Sequence, residues 1–318
     1  MNAPVSLDTC KQKAANEDAV VSNKAKKTVQ TQTSTWFAHL KLEFALRKRG
    51  VRLVKSEHQG PLYVQKAFYP EGPNCAHIYL LHPPGGLVTG DTLAIDVTAQ
   101  ASTHVVLTTP GAGRFYKARE QGGTQTQNIA IKLAKDSVVE WFPLETILFP
   151  GSHARMNTRI ELENGASFVG WEVTCFGLPA NGVVLETHSQ EQGEGAASLR
   201  QSMQIWREGR ILLNECLVID KSQSAVLNGN AGLRSLPVNG LMLAGPFVDN
   251  PDTLISSLRD IQTQTKQLLA VSLVGDFLTI RYLGICTEEA RKLFIAAWRL
   301  IRPALINKAP IEPRIWAT

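Results

Sequence analysis

From Ala38 to Phe176 the sequence is written in short apolar runs of period two, and that pattern restricts this stretch to strands before anything else is considered. Successive side chains of a strand point to opposite faces, so alternation marks a half-buried strand. Ala38-His-Leu-Lys-Leu-Glu-Phe alternates in this way. Leu62 to Phe68, Ala76 to Leu81, Leu93 to Ala99 and His104 to Thr109 continue the style. Thr126 to Leu133, Val138 to Phe149, Arg155 to Leu162 and Ser167 to Phe176 complete it. Gly, Pro, Asn or Asp separates nearly all of these runs, the turn chemistry expected between short strands.

A weak rhythm runs through the same region. Ala101-Ser-Thr-His-Val-Val, Asp136-Ser-Val-Val-Glu-Trp and Gly165-Ala-Ser-Phe-Val-Gly-Trp each set a small turn before an apolar strand, about 29 to 36 residues apart. A unit of this length suits stacked coils that bury their faces on one another, and sandwich hairpins give a similar spacing. The last third adds helices. Asp249 or Asn250 can cap a helix with Pro251 at its first position, and Leu254, Leu258, Ile261, Thr265 and Leu268 form an apolar stripe. Val271 to Tyr282 is strand-like, with Gly275-Asp276 as a hairpin turn. A second helix opens at Thr287 with Glu288 and Glu289 in its first turn, buries Leu293, Ala296, Ala297 and Leu300, and ends at Pro303. The expectation is a mainly β fold with a few C-terminal helices, near 250–268 and 287–302.

Composition then excludes several classes. The chain has 318 residues, 44% hydrophobic and 19% charged, enough apolar material for a core. The first 35 residues differ: rich in Lys, Asn, Ser, Thr and Gln, with five Lys against three acids, they predict a disordered, solvated tail. That tail holds part of the formal net charge of +5, which weakens any argument for nucleic acid or a membrane as partner. The stretch from Gly72 to Gly90 has no Asp, Glu, Lys or Arg but is interrupted by His, Pro and Gly, so no run of ~20 apolar residues predicts a spanning helix. Five cysteines at 10, 75, 175, 216 and 286, widely spaced and without C-x-x-C, argue against a disulfide framework or a structural zinc site. With no apolar core in residues 1–35 for a signal peptide, a cytoplasmic location is expected.

Familiar catalytic patterns are missing from the sequence: it contains no G-x-x-x-x-G-K-[ST], no G-x-S-x-G and no H-E-x-x-H. Leu81-His-Pro-Pro-Gly-Gly-Leu-Val-Thr-Gly-Asp91 lacks the Lys of a phosphate loop and leads into a strand, so its glycines serve tight turns. Seven His are scattered, and His77 and His82, five apart on a strand, point to opposite faces. No metal set is assigned. Glu140, Glu145 and Glu172 stand in apolar surroundings beside Trp141, Phe142 and Trp171, as structural carboxylates or as a polar lining.

Together these segments resemble one family. Leu80-Leu-His-Pro-Pro-Gly-Gly-Leu-Val-Thr-Gly-Asp91, with His82, Pro83, Pro84, Gly85, Gly86, Gly90 and Asp91, is similar to the signature of the urease accessory protein D family, UreD or UreH. Leu107-Thr-Thr-Pro-Gly-Ala-Gly-Arg-Phe-Tyr116, which carries Thr108, Thr109, Pro110 and Tyr116, follows where that family has its Leu-Thr-Thr-Pro-Gly-Ala segment. Glu140-Trp141-Phe-Pro-Leu-Glu145 resembles its Glu-Trp-Leu-Pro-Gln-Glu segment, and Trp171-Glu172 and Pro313-Arg314-Ile-Trp316 also match. The resemblance covers about residues 38–318 in order. It departs after Glu172, where Cys175-Phe-Gly-Leu-Pro replaces the usual Gly-Arg, and in the longer N-terminal segment.

The resemblance implies a β-helical, solenoid-like stack of sheets and a chaperone of urease metallocentre assembly that is not an enzyme. Its implied partners are a UreF-like helical accessory protein, a UreG-like GTPase that uses the GTP, and apo-urease; a dimer of such heterocomplexes is left open. No cofactor is held stably, and Ni²⁺ is cargo in transit. In that setting Glu140, Glu145 and Glu172 are candidate linings of a hydrated cation route, since weak oxygen contacts release an ion that His or Cys would trap. The rival readings are a solenoid-type hydrolase, which needs convergent carboxylates, and a nucleic-acid binder, for which Arg47-Lys-Arg49 and the tail are the candidates.

Overall fold

Alternation along a strand gives a sheet two faces, and this chain uses both faces of one of its sheets. The structure, a computed structural model, describes residues 35–119, 122–185, 196–220, 222, 225–263 and 265–317. All but Thr35 of the expected tail lies outside the described residues. An antiparallel hairpin of β1 (Phe37–Arg47) and β2 (Gly50–Gln59) comes first. β3 (Tyr63–Val64), β4 (Ala76–Leu81), β5 (Thr92–Ala99), β6 (His104–Thr108) and β7 (Gly113–Phe115) follow. Then come β8 (Gln125–Leu133), β9 (Val138–Phe142), β10 (Thr146–Leu148), β11 (His153–Leu162), β12 (Ser167–Leu178) and β13 (Val183–Val184). A second long hairpin, β14 (Ser198–Arg207) and β15 (Arg210–Ile219), leads to the single turn α1 (Ala225–Asn228) and to β16 (Val238–Gly245). The order closes with α2 (Asp252–Gln262), β17 (Leu268–Val274), β18 (Phe277–Gly284) and α3 (Thr287–Ile306).

One sheet has the order β15-β14-β11-β8-β5-β1-β2, and the other runs β17-β18-β16-β12-β9-β6-β4-β3 along its main path. The pairs β5 and β6, β8 and β9, β11 and β12 each step from the first sheet to the second, and the ladders they join are parallel. Thr92 pairs with Thr126 and Thr126 with Arg155, steps of 34 and 29 residues. The rhythm is therefore a two-sided solenoid, and the antiparallel strands at its margins are hairpins added to the ends of a parallel stack. The expected β-helical, mainly β architecture with C-terminal helices is the one observed.

A column of turns sets the stack. Ser102, Asp136 and Gly165 each stand two residues before the aligned positions His104, Val138 and Ser167, and all three are left-handed, with φ of 59°, 56° and 73°. Backbone bonds link the column: Ser102 N donates to Lys135 O at 3.0 Å and Asp136 N to Asn164 O at 3.2 Å. A Cβ on Gly165 would lie 2.0 Å from Asp136 Oδ1, so that carboxylate would have to swing aside, and the left-handed backbone itself favours glycine there.

The inner face of the second sheet, with Ile78, Leu107, Val139 and Phe168, packs on the first sheet in the main core. Its outer face, with Val106, Phe142, Val169 and Trp171, is covered by α2 and α3 in a second core. Several elements depart from the sequence reading. Leu62 to Phe68 supplies only β3 and a bridge from Phe68 to His77, and Val138 to Phe149 breaks at Pro143 into β9 and β10. Helix α2 starts after Pro251 without a side-chain cap, and it buries Ile255, Leu258 and Ile261, because Leu268 already belongs to β17. Pro303 does not end α3; the helix runs three residues further to a left-handed Asn307. Its buried face is Leu293, Phe294, Ala297, Trp298 and Ile301, and Leu300 is exposed. The hairpin turn at Gly275-Asp276 is present, with φ of 59° at Gly275.

Replacing Gly165 by Ala is expected to destabilise the body by about 1–3 kcal/mol, read as a lower urea midpoint at unchanged slope. Ser102→Gly, at the matching left-handed position, is expected to leave the midpoint level or raise it.

Candidate functional site

The motif residues converge on one end of the inter-sheet space. The loop after β4 is shaped by Gly85 and Gly90, with φ of 73° and 85°. Asp91 ties it down: its Oδ2 accepts from Val88 N at 2.9 Å and its Oδ1 from Trp36 N at 3.1 Å. Leu87 N donates to Arg114 O at 2.8 Å and Tyr116 N to Leu87 O at 3.0 Å, so the loop pairs with the segment around β7. A Cβ on Gly86 would meet the Tyr116 ring at 2.5 Å, which is why the ring can lie against the backbone there. Pro83 and Pro84 are exposed on the loop.

Beneath this loop is a cavity of about 450 Å³ lined by His82, Pro83, Gly85, Thr109, Pro110, Trp141 and Glu172 among others. Apolar side chains dominate its wall. Trp141 Nε1 is buried with no hydrogen-bond partner among the described residues. Glu172 accepts a short hydrogen bond from Thr158 Oγ1 and one from Gln201 Nε2 at 3.0 Å. Burial pushes its carboxyl above the ordinary range, and these two neutral donors only partly oppose that. Burial likewise lowers the pKa of His82, with the Asp91 charge opposing.

Next to it, a surface pocket of about 240 Å³ is lined by Glu145, Arg291, Glu288 and Trp316, and it shares Thr109, Pro110 and Leu144 with the inner cavity. Thr109 Oγ1 accepts from Leu144 N at 2.9 Å, which fixes this common wall. The C-terminal segment closes the pocket's side. Pro313 is buried, Arg314 is exposed, and Trp316 Nε1 donates to Thr108 Oγ1 at 3.1 Å. Thr108 is fully buried and donates in turn to Phe142 O at 2.6 Å.

Glu140, grouped with Glu145 and Glu172 in the sequence reading, lies elsewhere. Trp141 and Glu172 face the cavity between the sheets, whereas Glu140 faces out beneath α3. Three donors surround its carboxylate: His104 Nε2 at 2.6 Å, Trp298 Nε1 at 2.6 Å and Arg302 Nε at 3.0 Å. Lys308 Nζ donates to His104 Nδ1 at 3.0 Å, which leaves the ring proton on Nε2 for Glu140. Arg302 Nη2 also reaches Glu71, at 2.7 and 2.8 Å to its two oxygens, and Arg302 Nη1 donates to Ala309 O. His77 Nε2 completes the set at 2.7 Å from Glu71 Oε1. Burial alone would raise the pKa of both carboxyls. The His104 and Arg302 interactions hold Glu140 below the ordinary range, and the His77 and Arg302 hydrogen bonds hold Glu71 at about 2. So the three glutamates are split between an inner cavity, a surface pocket and a buried ionic network.

Sequence reasoning missed Glu71, Cys75, Arg302 and Lys308 and treated His77 and His104 as isolated. One local signal was available: Cys75 and His77, two apart at the start of a strand, share a face. No local signal links them to Arg302, which arrives from 225 residues beyond His77.

The fold and the site define a class: a two-sided β-solenoid scaffold with a cavity under a glycine-rich loop and an ionic network under a covering helix. The comparisons specify the class. The family described as UreD urease accessory protein matches residues 37–317. A urease accessory protein UreD of Marinomonas sp. (strain MWYL1) is 49% identical over 292 residues, covering 90% of this chain and 91% of that protein. One from Methylobacillus flagellatus is 39% identical over 293 residues, covering 92% and 98%, and one from Alcanivorax borkumensis is 40% identical over 283 residues, covering 88% and 91%. The chain belongs to the UreD family of urease accessory proteins. It is thus a factor in urease maturation rather than an enzyme.

Two outcomes test the network. Arg302→Met leaves Glu71 and Glu140 buried without their cation and is expected to destabilise the protein by about 3–5 kcal/mol in urea unfolding. Glu71 has a folded pKa of about 2 against an ordinary 4.5, so its stabilisation is present above the ordinary value and is lost as pH falls toward the folded one. The stability gap between wild type and Glu71→Gln should therefore be full at neutral pH and shrink between pH 4.5 and about 2.

Proposed function

We propose that this chain is a cytoplasmic scaffold that gathers a UreF-like helical accessory protein and a UreG-like GTPase on apo-urease, and that Ni²⁺ passes through it as cargo. The observation that carries the route is the wall of Thr109, Pro110 and Leu144 common to the surface pocket and the inner cavity. A hydrated ion entering beside Glu145 has this wall between it and Glu172. Glu172 is hydrogen-bonded by the neutral Thr158 and Gln201, and Glu145 shares its surface pocket with Glu288 and Arg291; single oxygen contacts of this kind are weak enough to be exchanged for water or for the next ligand. Glu140 is assigned to holding α3, since Arg302 already neutralises it. GTP hydrolysis belongs to the partner. The free state of Cys75, Cys175, Cys216 and Cys286 supports a reducing compartment, and among the described residues no helix is long and apolar enough to cross a membrane. Glu172 is the one carboxyl on the described wall of the inner cavity, where glycoside hydrolysis needs two, so the hydrolase reading is set aside. Arg47, Lys48 and Arg49 stand at a hairpin turn, an ordinary solvated position.

The test is co-expression with urease and the other accessory proteins. Omitting this chain should leave urease without nickel and inactive. Glu172→Gln keeps the hydrogen-bonding shape but loses the ionisable oxygen, and Glu145→Leu removes the outer station. With complex assembly intact, each should lower nickel per urease several-fold. Unchanged nickel content in both variants would overturn the route, and unchanged activity without the chain would overturn the scaffold reading.

A further inference from the structure

Outside the cavities, a second set of ligating atoms gathers beneath α3. Glu71, Cys75 and His77 each offer one donor atom, and the three atoms lie within 4.8 Å of one another. His77 Nε2 is 2.7 Å and Cys75 Sγ is 3.5 Å from Glu71 Oε1. Bonds of about 2.0–2.3 Å to a tetrahedral ion place its ligands roughly 3–4 Å apart, so small side-chain rotations suffice. We propose that Glu71, Cys75 and His77 form a binding site for a borderline divalent transition-metal ion, Ni²⁺ or Zn²⁺, that is separate from the inter-sheet cavity.

The backbone holds the three residues ready. Cys75, the residue before β4, belongs to the core on the outer side of the sheet, and His77 points to that side from the second position of the strand. His77 exchanges both backbone hydrogen bonds with Phe68, at 2.8 and 2.9 Å, and Cys75 N donates to Gly72 O at 3.4 Å. The loop carrying Glu71 is thereby closed onto the start of β4. An independent observation points to a ligand: His77 is fully buried, and its Nδ1 has no hydrogen-bond partner among the described residues. With Nε2–H engaged by Glu71, the imidazole keeps an unused lone pair in a place where water does not reach. Nε2, the ring atom that faces Glu71, takes the ion, and the ring proton passes to the open Nδ1.

The donor chemistry selects the ion. Thiolate and imidazole favour borderline metals, while Mg²⁺ and Ca²⁺ prefer all-oxygen sets. In the metal-free protein burial and the Glu71 and Glu140 charges push the Cys75 thiol far up, so it is protonated. On binding, the sulfur–hydrogen bond breaks, the proton leaves to solvent, and the metal–sulfur bond forms. Three protein ligands leave the fourth position of a tetrahedral ion unfilled, unlike the closed four-ligand set of a structural site. The ion also competes with Arg302, whose guanidinium holds both oxygens of Glu71. Glu140 retains the guanidinium when Glu71 turns to the metal.

The site stands or falls apart from the transit reading. Full-length chain is titrated with Co²⁺ and followed for the near-ultraviolet thiolate-to-cobalt band, then with Ni²⁺, Zn²⁺ and Mg²⁺ by calorimetry. One equivalent of Co²⁺ should raise the band, Cys75→Ser should abolish it, and Cys10→Ser, Cys175→Ala, Cys216→Ser and Glu172→Gln should keep it. Cys75→Ser and His77→Asn should each weaken Ni²⁺ and Zn²⁺ binding by about tenfold or more, with Mg²⁺ silent throughout. A wild-type protein that shows no thiolate band overturns the proposal whatever the variants do, and so does a band that survives in Cys75→Ser. A Glu172→Gln protein that keeps the band but delivers nickel normally would sink the cavity route alone.

Discussion

One guanidinium without solvent exposure governs how this molecule closes. Arg302 sits in α3 and joins Glu140 of β9, Glu71 of the loop before β4 and the carbonyl of Ala309 beyond the helix. A buried charge is tolerated only when its partners are in place, and an ion pair so buried adds less net stability than it adds penalty to a wrong arrangement. The helix cannot slide or turn without stripping Arg302 of a carboxylate. Trp298, one turn earlier on the same helix face, donates to the same Glu140, so two bonds fix both the rotation and the height of α3.

That clasp depends on the two-faced sheet beneath it. Odd and even residues of one strand live in different media. His82, Trp141 and Glu172 meet an apolar interior in which an acid tends to stay protonated, while Glu140 meets the donors of His104 and Arg302, which hold its carboxyl below the ordinary range. A single step along β9 separates the two chemistries. The stack of left-handed turns keeps the coils in register, so the step from one chemistry to the other falls at the same depth in each coil.

Much of the architecture was legible because it is local. Alternation gave most strands of the central coils, the repeated turns gave the rhythm, and Gly275-Asp276 gave the late hairpin. What failed were places where tertiary structure overrides a local rule. Pro303 is a local stop signal, yet proline in a last turn forfeits a bond that packing of Ile301 and Arg302 outweighs. Leu300 looked like core and is exposed because the helix turns its Trp298 and Ile301 face inward. In β14 and β15 polar residues mask the alternation, and β16 has none to show because it is apolar on both faces. Of the site, the motif loop and the segments around Thr109 and Trp316 were readable as resemblance. The parting of Glu140 from Glu172 was not, because the partners that define each come from distant parts of the chain.

The aromatic layer over the second sheet has a consequence for observing the molecule. Trp171, Trp298 and Trp316 gather around Phe142, with Trp316 centroids 5.6 Å from Trp171 and 5.8 Å from Trp298. Indoles this close and fixed in mutual orientation couple their electronic transitions. They belong to three elements: the sheet, the covering helix and the closing segment. The near-ultraviolet dichroism of the chain is therefore a built-in gauge of whether those three layers are seated together, readable without any label.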